Sequence, residues 1–221
     1  MATWIVHLRI ADTFIKRGII PSQYKTEFVL GSLAPDCGYG QKDSLSDFSP
    51  PPSVTHWAPS GCKVVCNYTK FYDTYLEGHI KDGDYYFYFG YYIHLLTDIL
   101  WSSSIYMTNR FKYAKEYNDN PEFINVVKQD WYGLDFLFLE NTSDFEPMHL
   151  LSKVKTVKDY LPYYEKGQLT KQIKYIYDYY KTNTYDPEHS FIYLTESEMN
   201  EFIKTVPDII LHKLKQRGCC I

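Results

Sequence analysis

Residues 85–101 constrain this chain more than any other stretch. They are aromatic or aliphatic almost throughout and hold only two strongly polar side chains of metal-ligand type, His94 and Asp98. A helix places these two on one face, one turn apart, with Cβ atoms roughly 5–6 Å from each other. Tyr91, His94 or Leu95, Asp98 and Trp101 or Ser102 follow the i, i+3, i+4, i+7 pattern, so that face is predicted to point inward. A carboxylate buried alone costs several kcal/mol. Asp98 is therefore expected either to pair with His94 in a structural hydrogen bond or to share a metal ion with it.

The chain on either side is predicted to be helical too. Thr3 caps a first helix running to about Arg17, with Trp4, His7, Leu8, Ala11 and Ile15 on its buried stripe. A short helix follows Pro21 and ends at Gly31. Asp36 then emerges at the break that Pro35 imposes, because the residue before a proline is pushed out of the helical region. Residues 38–60, centred on three consecutive prolines, read as a long loop that delivers His56, and such loops are more often functional than idle. Further helices are expected over about 64–76, 85–110, 122–140, 147–164, 169–181 and 196–215, the last opened by a Thr195/Glu198 capping box. There is little strand-like alternation and no Asn-Gly hairpin signal. The fold class is all-α: one multi-helix domain over residues 1–221, with a metal site between helices in the half spanning about 1–110 and a Tyr-rich helical half over about 120–221.

Composition narrows the function classes. Net charge is −4 with charges interspersed, which gives no basic footprint for nucleic acid. No run of about 18 apolar residues marks a membrane span, and residues 1–10 lack the basic start of a secretory signal. The five cysteines are an odd count. Cys62 and Cys66 have no second pair at matching spacing, which argues against a zinc–cysteine site. The expectation is a cytoplasmic protein. The 23 tyrosines suit amphipathic packing with hydroxyls at the rim. Tyr39, Trp57 and Trp101 neighbour candidate ligands and are expected as pocket walls.

His7, Asp36, His56, His94 and Asp98 each occur in apolar surroundings or at a structured break. Three imidazoles and two carboxylates form a donor set suited to zinc or a similar divalent metal. An HD-type helical phosphohydrolase would require an adjacent His-Asp pair, and the chain has none.

Four blocks carry a resemblance to a known family: Trp4-Ile5-Val6-His7; Phe28-Val29-Leu30-Gly31-Ser32-Leu33-Ala34-Pro35-Asp36; Thr55-His56; and Gly90-Tyr91-Tyr92-Ile93-His94-Leu95-Leu96-Thr97-Asp98. Together they resemble the zinc-dependent phospholipase C family, related in fold to the P1-type nucleases. The resemblance covers residues 1 to about 105. It implies that Asp36, His56 and His94 hold one zinc and that Asp98 bridges it to a second metal that also takes His7. Secreted members use the amino group of a mature N-terminal Trp, whereas Trp4 is internal here. They also carry a later His and a His-x-x-x-Glu group, a spacing that His149 and His189 do not reproduce, so two Zn2+ ions are expected and not three. The implied activity is hydrolysis of a small phosphoester or phospholipid headgroup by a metal-activated water, with Asp36 and Asp98 as the catalytic carboxylates. Asp130 and Asp135 are candidate extra ligands or bases. The rival expectation is a non-catalytic helical protein with a structural metal site.

Overall fold

The computed structural model describes residues 1–40, 48–59 and 65–218. Helix α1 (Trp4–Lys16) begins where the Thr3 hydroxyl accepts the Val6 N–H. Helix α2 (Lys25–Leu33) runs into a 3-10 turn over Ala34–Asp36. A two-residue antiparallel pair, β1 (Tyr39–Gly40) with β2 (Phe48–Ser49), departs from the strand-free expectation. Short α3 (Pro52–Thr55) follows, then α4 (Tyr68–Tyr75), opened by the Asn67 side chain. The helix expected from residue 64 thus starts later. Cys62 and the tail cysteines lie outside the described residues.

The central element is α5 (Gly83–Trp101), capped by Asp82. It does not run unbroken to residue 110. A π-turn over Ser102–Tyr106 intervenes before α6 (Met107–Lys112) and α7 (Ala114–Asp119). The cause is local: Ser103 and Ser104 both donate their hydroxyls to the Leu100 carbonyl, competing with the helix ladder. Helix α8 (Phe123–Asn141) is as expected. Helix α9 (Glu146–Ser152) is far shorter than the predicted 147–164. Past it, both backbone groups of Val157 bond the Thr170 hydroxyl instead of a helical turn. Helices α10 (Gln168–Thr182) and α11 (Glu196–Gln216) complete the chain, the latter with the capping box in place.

One hydrophobic core spans residues from both halves, from Ala2 to Leu214. Its tightest contact is α2 against α5. A Cβ at Gly31 would lie 1.9 Å from the Phe87 carbonyl oxygen, and one at Gly90 would lie 2.1 Å from that of Phe28. Any side chain at either position would force the helices apart. The two glycines therefore let the α2 backbone reach the face of α5 that carries His94. Among the described residues no helix is long and apolar enough to cross a membrane.

Candidate metal centre

Three elements meet the middle of α5. Helix α1 presents His7, the turn after α2 presents Asp36, the residue ending α3 is His56, and α5 itself carries His94 and Asp98. All five side chains are at most 8% exposed, Asp36 being the most open.

Four donor atoms cluster first. His56 Nε2 lies 3.2 Å from Asp36 Oδ1, 3.3 Å from His94 Nε2 and 3.5 Å from Asp98 Oδ2. His94 Nε2 is 3.7 Å from Asp98 Oδ2 and 4.0 Å from Asp36 Oδ1. Ligands at the corners of a tetrahedron with bonds of about 2.0–2.1 Å are about 3.3–3.4 Å apart. Asp36, His56 and His94 form one trio of donors within 4.8 Å of one another, and His7, His94 and Asp98 form a second, and each could hold a divalent ion. The other oxygen of Asp98 turns the opposite way, with His7 Nε2 at 3.5 Å from Oδ1. The His7 and His94 rings stack at 3.6 Å, nearly parallel.

The hydrogen-bond census supports the same fit. Asp98 Oδ2 and both ring nitrogens of His7 are buried and find no hydrogen-bond partner among the described residues. Buried polar atoms are rarely left so, and a cation would satisfy Asp98 Oδ2 and one nitrogen of His7. The charge states suit it as well. Burial, with His7 alongside, holds the His94 imidazole well below its ordinary pKa, so it is neutral and able to ligate. Burial would raise the Asp98 carboxyl, but His7, the amino group at Met1 and His94 outweigh it and hold it well below the usual carboxylate range.

Outer bonds orient these ligands. His94 Nδ1 donates to the Ser32 carbonyl at 2.8 Å, which directs Nε2 into the cluster. Thr55 Oγ1 is 2.9 Å from His56 Nδ1. The Tyr91 hydroxyl donates to the Thr55 carbonyl and receives a bond from Tyr163. Tyr164 donates to the Ala34 carbonyl at 2.5 Å, beside Asp36. The buried Gln168 amide donates to the carbonyls of Cys37 and Ser49, at 2.9 and 2.7 Å, tying together the two segments that carry Asp36 and His56. Sequence reasoning missed Ser32, Tyr163, Tyr164 and Gln168. Ser32 acts through its backbone, and the other three lie more than 100 residues from the nearer ligand they brace.

Asp130 and Asp135 are committed elsewhere. Asp130 accepts from His189 and from the backbone of Tyr193 and Leu194. Asp135 accepts from Thr3 and Tyr180. Neither belongs to a donor cluster found among the described residues. Trp101, expected at a pocket wall, is wholly buried against Trp131 and Phe202. Trp57 is half-buried against Phe71 and Tyr75, and the Tyr39 hydroxyl is buried with no hydrogen-bond partner among the described residues. Two surface grooves, of about 500 and about 330 Å³, lie away from all five ligands.

The sequence matches the family described as Zinc dependent phospholipase C over residues 6–217, well beyond the N-terminal half that carries the four motif blocks. No curated protein and no solved structure matches it. The match spans nearly the whole chain and includes all five clustered ligands. The chain belongs to the zinc dependent phospholipase C family.

Proposed function

We propose that this chain is a metal-dependent hydrolase of phosphoesters, taking a phospholipid headgroup or a similar small phosphodiester. The observation that carries the reading is two buried donor trios that share His94, Asp36/His56/His94 and His7/His94/Asp98, with Asp98 Oδ2 3.5 and 3.7 Å from the His56 and His94 nitrogens and Oδ1 turned to His7. Asp36, His56 and His94, with Asp98 Oδ2 beside them, would hold one Zn2+. Asp98 Oδ1 and His7 Nε2 would hold a second. Bound there, divalent ions supply Lewis acidity and a nucleophilic water near neutral pH.

The protein groups do the rest. Asp98 fixes the spacing of the two positions by offering one oxygen to each. His94, neutral and locked by Ser32, adds no charge to a site meant for an anionic ester. Asp36, the most exposed of the five, would be the carboxylate placed to take a proton from water. The aromatic surroundings keep bulk water from the other faces.

A second reading has one observation in its favour. Four protein ligands would close the first position, as in structural zinc sites, whereas catalytic sites keep an opening. A chain loaded only there would be held together by its metal without turning over substrate. Chelation followed by zinc restoration, assayed on bis(4-nitrophenyl) phosphate and on phosphatidylcholine, separates the two. Hydrolysis that disappears with the metal and returns with it supports the hydrolase. A metal-loaded chain inert on both, but unfolding more easily when stripped, supports the structural role.

A further inference from the structure

The carboxylate of Asp135 is buried and stands outside the donor cluster. It accepts a hydroxyl on each oxygen, Thr3 Oγ1 on one and Tyr180 on the other, both at 2.7 Å. One side chain of α8 thereby joins the start of α1 to α10. The Thr3 end of this joint leads directly to the ligands. The Thr3 carbonyl accepts the His7 N–H at 3.2 Å, and the Thr3 hydroxyl caps α1 through the Val6 N–H. The preceding residue, Ala2, donates its N–H to Asp98 Oδ1 at 2.9 Å, the same oxygen that faces His7.

We infer that Asp135 is a positioning residue: through Thr3 it fixes His7 and the Ala2 N–H against Asp98, and so sets the geometry of the second metal position. The inference rests on the two-metal reading above. Thr3 needs no acid to cap α1, since its hydroxyl accepts the Val6 N–H in any case. A buried carboxylate is costly, and an apolar side chain would fill the same space more stably unless the acceptors themselves were required. The requirement is for acceptors and not for charge. Both partners are neutral hydroxyls, and among the described residues no lysine or arginine forms an ion pair with Asp135. The nearby Arg9 guanidinium instead bonds Asn200 and covers the Phe138 ring. Burial pushes the Asp135 carboxyl up to about 7, as expected for an acid held by hydroxyls alone.

The test is metal stoichiometry and affinity for zinc, by equilibrium dialysis and elemental analysis, in a small variant set. Asp135→Asn keeps an oxygen for Thr3 and is expected to hold two ions like the wild type, an outcome a metal ligand would not permit. Asp135→Leu, which offers no acceptor, is expected to keep the first ion and bind the second about 10–100-fold more weakly, the usual penalty for losing a ligand's support. Thr3→Val should match Asp135→Leu, and Thr3→Ser should restore the second ion, so the Thr3 pair decides the matter if Asp135→Leu does not fold. Tyr180→Phe should lower thermal stability without selective loss of either ion. A folded Asp135→Leu or Thr3→Val with both ions at wild-type affinity would overturn the inference, and so would loss of both ions in step with lost folding. A wild-type chain that holds fewer than two ions would overturn the two-metal reading, and this inference with it.

Discussion

The Nδ1 of His94 donates to the carbonyl oxygen of Ser32 across the α2–α5 interface, at 2.8 Å. A backbone carbonyl only accepts, so Nδ1 carries the ring proton and Nε2 faces Asp36, His56 and Asp98 as a lone pair. His94→Gln keeps much of the volume but not this directed donor. The expected result is a folded chain that has lost the ion of the four-donor position, read as metal per chain after gel filtration.

That bond depends on how closely the helices approach. A Cβ at Gly90 would stand 2.1 Å from the Phe28 carbonyl oxygen, and backbone cannot rotate away as a side chain would. Gly90→Ala is expected to cost at least about 1–3 kcal/mol, the range for overpacked cores, and to weaken metal binding. Gly83→Ala, whose Cβ would meet only the Glu27 side chain at 3.6 Å, should be neutral or stabilising by up to about 1 kcal/mol. Urea unfolding of the two variants makes the comparison.

Gln168 spans two loops with one amide. Gln168→Leu leaves the Cys37 and Ser49 carbonyls without that donor, at a cost of about 1–3 kcal/mol for each that stays buried and unpaired. Because those loops carry Asp36 and His56, zinc affinity should also drop about 10–100-fold. Competition with a chromophoric chelator would measure it.

Asp135 gives a stability signature with a definite sign. Its folded pKa, about 7, lies above the ordinary 3.8 because burial disfavours the charged form. Between those values the folded chain binds more protons than the unfolded one, so this group's contribution falls as pH rises from about 4 to about 7 and is flat above. The full span is on the order of 4 kcal/mol. The stability of Asp135→Asn relative to wild type should therefore improve across that window and then level off. A difference that does not vary with pH would contradict the buried, charge-averse acid described here.

Much of the architecture was legible because it rests on local signals. Thr3 and the Thr195/Glu198 pair cap helices where side-chain chemistry says they should. The inward face of α5 follows from its apolar period, and residues 85–101 could bury His94 and Asp98 only by pairing them with something. The breaks were harder to see. Ser103 and Ser104 divert the ladder into a π-turn by competing for a carbonyl, and propensity hardly registers that. The region after Ser152 departs from a helix because Thr170, 13 residues on from Val157, takes its backbone groups. At the site, the clustering of His7, Asp36, His56, His94 and Asp98 was anticipated from motif blocks, but spacing could not say that Tyr164 and Gln168 would brace them. Such long-range bonds leave no periodic trace. The same holds for Asp130 and Asp135, whose hydroxyl, imidazole and amide partners come from distant segments.

The most direct test of the central claim is metal content per chain, by elemental analysis of protein purified without added metal, for wild type and Asp98→Ala. Asp98 offers one oxygen to each proposed position, so its loss strikes both. The account predicts about two zinc or similar divalent ions in the wild type and close to none in a folded Asp98→Ala. A wild type without metal, or a folded Asp98→Ala with its full complement, would contradict it.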